Sequence, residues 1–189
     1  RMFVDLWTRE GVATDGVTYE PEAATGVYFV AHGANGHEFS YLRAGSAASR
    51  MRPEHLSLPL IRKARLLHAS GISQAISATA CDTVFAAFAA ARDAGALVTY
   101  DPNVRLKLWP LPRARAIVQA SMACCDWCLP SQDDANVLYE GAAPDAVVDA
   151  IHRAGARGVV LKQGAEGCIV SDGTRRERIA AHRVASVDA

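Results

Sequence analysis

Three observations place this 189-residue sequence in the α/β class, on a mainly parallel sheet with a small β appendage. Short apolar runs at 65–71, 97–100, 126–130 and 158–162 alternate with longer amphipathic stretches. That order builds right-handed βαβ units. The runs end in polar, Gly- and Pro-containing segments, as strands do at the ligand-facing carboxyl edge of an open sheet. Residues 17–43 break the rhythm with closely spaced β-prone runs around His32-Gly33-Ala34-Asn35-Gly36, the pattern of an antiparallel hairpin.

The length suffices for one domain with a full core, or a domain plus a small appendage. Twenty basic residues balance 20 acidic ones, so no basic field would gather nucleic-acid phosphates. No apolar stretch approaches the ~20 residues that span a bilayer, and no secretory pattern opens the chain. A cytoplasmic protein without nucleic-acid or membrane partners is the expectation. The sequence begins at Arg1 in what reads as mid-helix (Met2, Phe3, Leu6, Trp7) and stops at Val187-Asp188-Ala189 straight after a strand-like segment. It reads as an internal piece of a longer protein.

Along the chain, residues 1–10 read as the end of a helix and 11–16 as a turn. The runs 17–19, 26–30 and 39–43 are β-prone, the last two forming the hairpin. Alternation puts Tyr28 and Val30 on one face, Val27 and Phe29 on the other, and Tyr41 with Arg43. Such a sheet suits a lid over a polar ligand, or an ordinary edge whose tyrosines merely pack, and the hairpin by itself favours the second. Residues 73–93 predict one long helix with Ile76, Ala80, Val84, Phe88 and Ala91 on a face. Helices follow at 112–123, 132–139 and 145–154. After Lys162 a meander is expected, with strands at 168–170 and 179–184.

Five cysteines occur, and Cys125-Asp126-Trp127-Cys128 has C-x-x-C spacing. A second pair at metal spacing is lacking, and Cys128 runs into an apolar strand end rather than opening a helix. Buried, reduced thiols are the better reading.

Four strand ends could carry chemistry. The first is His68-Ala69-Ser70-Gly71. The second is Asp101-Pro102-Asn103-Val104-Arg105, where Pro102 halts the ladder and Arg105 can grip a carboxylate or phosphate bidentately. A helix-capping loop with a surface arginine is the equal alternative. At the third, Pro130-Ser131-Gln132-Asp133-Asp134, Ser131 suits a helix cap and the acids complement the helix dipole. Asp134 could also hold hydrated Mg²⁺, though no spacing rule demands it. The fourth, Lys162-Gln163-Gly164-Ala165-Glu166-Gly167, has glycines that let backbone N–H groups approach a phosphate. It is not a Walker loop, and no dinucleotide glycine fingerprint occurs.

Taken in order, these segments resemble the middle of a ribokinase-like (PfkB) carbohydrate kinase, closest to the 2-keto-3-deoxygluconate kinases. The resemblance rests on Glu10-Gly11-Val12, Thr25-Gly26-Val27-Tyr28, Tyr41-Leu42-Arg43-Ala44-Gly45-Ser46-Ala47-Ala48, Asp101-Pro102-Asn103-Val104-Arg105 with Leu108-Trp109, Pro130-Ser131 with Asp134, and Leu161-Lys162 with Gly164 and Gly167. It implies a three-layer α/β sandwich with a β lid. The end of a core helix would span 1–12, the lid 13–46 and the α/β core 47–189.

The implied activity is transfer of the ATP γ-phosphoryl group to a sugar hydroxyl, with ATP and Mg²⁺ as cofactors and a small sugar acid as substrate. By matched position, Tyr28, Tyr41, Arg43 and Arg105 would meet the sugar acid. Asn103, Arg105, Ser131, Lys162, Gly164 and Gly167 would line the nucleotide side. The family's usual Asn-x-x-Glu stands here as Ser131-x-x-Asp134, which puts the metal role of the shorter Asp134 in question. The family's base-bearing motif would open at Val187-Asp188-Ala189, leaving the catalytic base beyond the last residue and the piece itself incompetent. A homodimer through the lid is implied by the same analogy, with Val27, Phe29 and Phe39 as its seam. A kinase of a neutral sugar or nucleoside, and a non-catalytic binding protein on the same fold, are the alternatives.

Overall fold

The computed structural model describes residues 2–33 and 36–184, with the backbone alone at 36–39. Helix α1 (Met2–Arg9) precedes an irregular stretch and the hairpin of β1 (Val27–Gly33) and β2 (Gly36–Leu42). Two 3₁₀ turns and α2 (Leu58–Lys63) lead into β3 (Leu66–Ser70), α3 (Gly71–Ala75) and α4 (Ala78–Asp93). Then come β4 (Leu97–Asp101), α5 (Leu111–Met122), β5 (Trp127–Cys128), α6 (Gln132–Leu138) and α7 (Pro144–Ala154). Strands β6 (Gly158–Lys162), β7 (Cys168–Ser171) and β8 (Arg176–Ile179) complete the chain.

Two sheets result. The hairpin pairs Tyr28 with Tyr41, and its turn at 34–35 lies outside the described residues. The six core strands stand in chain order, β3 to β8, parallel from β3 through β6 and antiparallel beyond. The α/β class, the mainly parallel sheet and the hairpin all match expectation.

Period-two alternation decides where the core lies. Val98 and Tyr100 on β4, Cys128 on β5, and Val159 and Leu161 on β6 are buried. They form one cluster with Phe88 of α4, Met122 of α5, Leu138 of α6 and Ile151 of α7. Tyr100 meets the Phe88 ring edge-on at 6.0 Å, the geometry that aromatic quadrupoles favour. Its hydroxyl donates to Gln74 Oε1 at 2.8 Å, and Gln74 Nε2 donates to Ser121 Oγ at 2.8 Å. Burial drives the Tyr100 phenol far above its ordinary range, so it serves as a neutral donor.

Three local expectations need correction. The run at 17–19 forms no strand; Val17 N–H donates instead to the Thr14 carbonyl in a turn. The predicted helix 73–93 is interrupted, because Ser77 turns extended and caps α4 through the Ala80 N–H. The strand expected at 179–184 lies earlier, in the charged run of β8. There Arg176 reaches Asp145 and Asp149 of α7, and Arg178 reaches Asp145. An exposed edge fixed by ion pairs needs no apolar sequence.

Cys125 and Cys128 are free, buried thiols. Burial raises the Cys128 pKa first, and nearby Cys125, Asp101 and Asp134 raise it further. The thiol stays protonated and unsuited to redox attack. Among the described residues no helix is long and apolar enough to cross a membrane.

Candidate active site

The carboxyl ends of β3, β4 and β6 lie on one edge of the sheet. Pro102 ends β4, and Asp101 Oδ1 accepts the Asn103 N–H at 3.1 Å, closing a tight side-chain turn. Asn103 takes a positive φ of 38°, a region this residue type tolerates. Its Nδ2 donates to Ser70 Oγ at 3.1 Å. The other Asp101 oxygen accepts from Lys162 Nζ at 2.8 Å. One carboxylate thus ties the β4 end to the β6 end across β5. Gly71 belongs to the same joint, since a Cβ there would run into the Pro102 carbonyl.

Ser131 caps α6 in a reciprocal box. Its hydroxyl accepts the Asp134 N–H at 3.0 Å and donates to Asp134 Oδ2 at 2.7 Å, while its own N–H donates to Oδ2 at 3.1 Å. Asp134 Oδ1 accepts the Val104 N–H at 2.7 Å. Asp134 is buried, whereas Asp133 is exposed beside it. A cavity of about 340 Å³ gathers Asn103, Arg105, Ser131, Asp133, Asp134 and Lys162. A larger one, about 790 Å³, shares Ser131, Asp133 and Lys162 and continues along the 164–166 turn.

The two turn glycines differ in what they permit. Gly164, at φ 59°, faces open space. Gly167, at φ 96°, is pinned because a Cβ would strike the Ile179 carbonyl. Gly164 leaves the backbone approachable; Gly167 lets β8 close over the turn.

A third cavity, about 290 Å³, lies beneath the hairpin and joins Tyr28, Tyr41, Arg43 and Ser46 to Ile72 and Ser73 of α3. The Arg43 guanidinium carbon sits 4.1 Å above the Tyr41 ring, a cation–π contact. Arg43 Nε is buried without a hydrogen-bond partner among the described residues.

The sequence-selected residues therefore fall into two groups. Tyr28, Tyr41 and Arg43 share the cavity beneath the hairpin; Asn103, Arg105, Ser131, Asp134 and Lys162 share the one at the sheet edge, with Gly164 alongside in the larger space that adjoins it. Arg105 is exposed and donates to its neighbour's carbonyl, Val104 O, at 2.9 Å. The cation of its loop that reaches the hairpin is Lys107, 6.0 Å from the Tyr41 ring centre. Sequence reasoning passed over Lys107. Its place two residues after Arg105 was the one available signal.

With ligand-sized spaces lined by cations at this edge, comparison with known proteins decides the family. The model for the pfkB family carbohydrate kinases matches residues 1–189. The chain belongs to that family. Fructokinase-2 of Oryza sativa subsp. japonica is 35% identical over 170 residues, 88% of this chain and 50% of that protein. The 2-dehydro-3-deoxygluconokinase of Thermoproteus tenax is 33% identical over 175 residues, 90% of this chain and 53% of its own length. The chain thus spans about half the length of these curated relatives.

Among solved structures, a PfkB protein from Polaromonas sp. JS666 superposes with a TM-score of 0.90 at 30% identity, covering 97% of this chain and 63% of that one. A Ribokinase II from E. coli, solved with ATP and Mg²⁺, shares the fold at a TM-score of 0.88 and 21% identity, covering 99% and 60%. Residues 187–189, where the base-bearing motif was expected to open, lie outside the described residues.

The pfkB fold implies Mg²⁺, so the donor set matters. Among the described residues no cluster of three His, Cys, Asp or Glu side chains could hold a metal. Asp134 is buried, and three of its roughly four acceptor sites are filled by N–H and O–H donors. Asp133 is exposed and borders both the cavity at the sheet edge and the larger one adjoining it. One carboxylate fits an ion that arrives with phosphate oxygens and keeps most of its waters, and does not fit a resident cage.

Proposed function

We propose that the protein belongs to an ATP-dependent kinase that phosphorylates a hydroxyl of a small sugar acid of the 2-keto-3-deoxygluconate type. The observation that carries this reading is Arg43 Nε, buried and unpartnered beneath the hairpin while its guanidinium carbon rests on Tyr41. A buried donor without an acceptor is costly, and a carboxylate would complete it with a charge-assisted bond. Tyr28 and Tyr41 supply flanking surface for the sugar, and residues 13–46 act as its lid.

On the other side, Lys162 and Arg105 face the ATP phosphates, with Asn103, Ser131 and the Gly164 turn lining the nucleotide space. Phosphoryl transfer requires mainly positioning and stabilisation of charge. Mg²⁺, held on the phosphates near Asp133, would neutralise developing negative charge. The chain's own residues orient the two reactants across the joint formed by Ser70, Asp101 and Asn103. The hairpin also exposes Val27 (47%) and Phe29 (58%) on one face, which supports pairing with a second copy.

The fructokinase relatives favour a second reading, in which the substrate is the neutral sugar fructose. Steady-state kinetics on the full-length protein separate the two. With 2-keto-3-deoxygluconate as substrate, Arg43→Ala should lower kcat/KM by about 10- to 100-fold, and by much less for fructose. Equal losses on both sugars would reject the sugar-acid assignment.

A further inference from the structure

We infer that Asp134 is a positioning residue that fixes the Val104–Arg105 backbone, and that it is not a ligand of the nucleotide-borne metal. The inference rests on the reading of this cleft as a phosphoryl-transfer site, but its first test does not.

A carboxylate that serves a metal or its waters needs a free lone pair facing the cleft. Asp134 is 5% exposed, and its oxygens accept from three donors. Oδ1 takes the Val104 N–H at 2.7 Å; Oδ2 takes the Ser131 N–H at 3.1 Å and the Ser131 hydroxyl at 2.7 Å. Two of these donors belong to its own helix cap. The third comes from the loop after β4, thirty positions earlier in the chain, and is the consequential one.

Val104 lies directly between Asn103 and Arg105. Asn103 is fixed from the opposite side by Asp101 and Ser70. The Arg105 guanidinium donates only to the Val104 carbonyl among the described residues, and the Arg105 carbonyl accepts the Leu108 N–H of the following turn at 2.9 Å, so no side chain from another element holds it. The Asp134–Val104 bond is therefore the side-chain contact that sets where the Arg105 backbone leaves the core. A charge-assisted bond of this kind is short and directional. The Asp133 side chain, one residue earlier, makes no hydrogen bond among the described residues and borders both cavities. The two adjacent acids divide the work: one holds the loop, the other is exposed at the cleft.

The first test is amide hydrogen exchange on the unliganded protein. Asp134→Asn should speed exchange at Val104 by about tenfold or more and leave Val98 in the core unchanged, whereas Asp133→Asn should alter neither. If Asp134→Asn fails to fold, Ser131→Ala, which removes one donor to the carboxylate, should raise Val104 exchange by a smaller factor. Unchanged Val104 exchange in the folded variant overturns the inference.

The second test is a double-variant cycle with Arg105→Ala in the full-length enzyme, read on kcat/KM for ATP. Positioning through Arg105 predicts that Asp134→Asn adds little to the loss already caused by Arg105→Ala. Multiplying losses overturn it. In the same samples, the ratio of ATP affinity with and without Mg²⁺ should be unaltered by Asp134→Asn. A tenfold fall in that ratio overturns the exclusion of Asp134 from the metal. Absence of any kinase activity in the wild type rejects the phosphoryl-transfer reading while leaving the exchange result standing.

Discussion

Replacing Lys162 by methionine separates the proposed phosphate contact from stability, because the two effects are expected to differ in size. Lys162 Nζ lies 2.8 Å from Asp101 Oδ2, with the side chains 44% and 23% exposed. A pair this accessible is screened by solvent and contributes less than about 1 kcal/mol. Asp101 also keeps the Asn103 N–H and contact with water, so no buried charge is orphaned. For a protein of this size the melting temperature should fall by no more than about 2–4 °C. The functional loss should be larger. A hydrogen bond from a cation to phosphate is worth about 1.5–3 kcal/mol, which corresponds to about 10- to 150-fold in kcat/KM for ATP. Thermal unfolding and steady-state kinetics on the same full-length preparation measure both. A fall of about 10 °C with an unchanged ATP constant would refute the reasoning and make Lys162 a structural strut.

Two further outcomes are expected. The Asp172 carboxyl, which accepts the Thr174 and Arg175 N–H groups and the Thr174 hydroxyl, is held down at about 2, with the Arg175 backbone bond the largest cause. Its stabilisation of the β7–β8 turn is complete above the ordinary carboxyl value of 3.8 and fades as pH falls toward 2; a side-chain NMR titration giving an unshifted value would contradict this. For the hairpin, Phe29→Lys should convert a dimer to a monomer in sedimentation velocity without changing helix content, and a wild type that sediments as a monomer would remove the pairing proposal.

Much of this architecture was readable from local pattern. The runs at 97–100 and 158–162 are apolar because both faces of a central strand must be covered, and such signals survive without tertiary context. The cap at Ser131 was readable for the same reason, since a box needs residues only three apart. The break at Ser77 was hidden: Ile76, Ala80, Val84 and Phe88 keep helical spacing straight through it, while Ser77 turns extended to cap α4. Strand β8 was expected too late in the chain because it is a charged run that pairs with β7 and whose arginines meet Asp145 and Asp149 on another element. The same limit applies to the site. That Asp101 would clasp Lys162, and Asp134 the Val104 amide, depends on contacts 61 and 30 positions apart. No local spacing encodes them.

Strand order has a consequence for synthesis. Because β3 to β6 sit side by side in the order they are made, each of β4, β5 and β6 finds a neighbour already present as it emerges from the ribosome. A nascent chain that has emerged as far as Lys162 would hold the parallel pairings of β3 through β6. The slow search that long-range β pairing usually imposes is divided into short steps, and the growing edge of the sheet stays uncovered only for the time one crossover takes to appear.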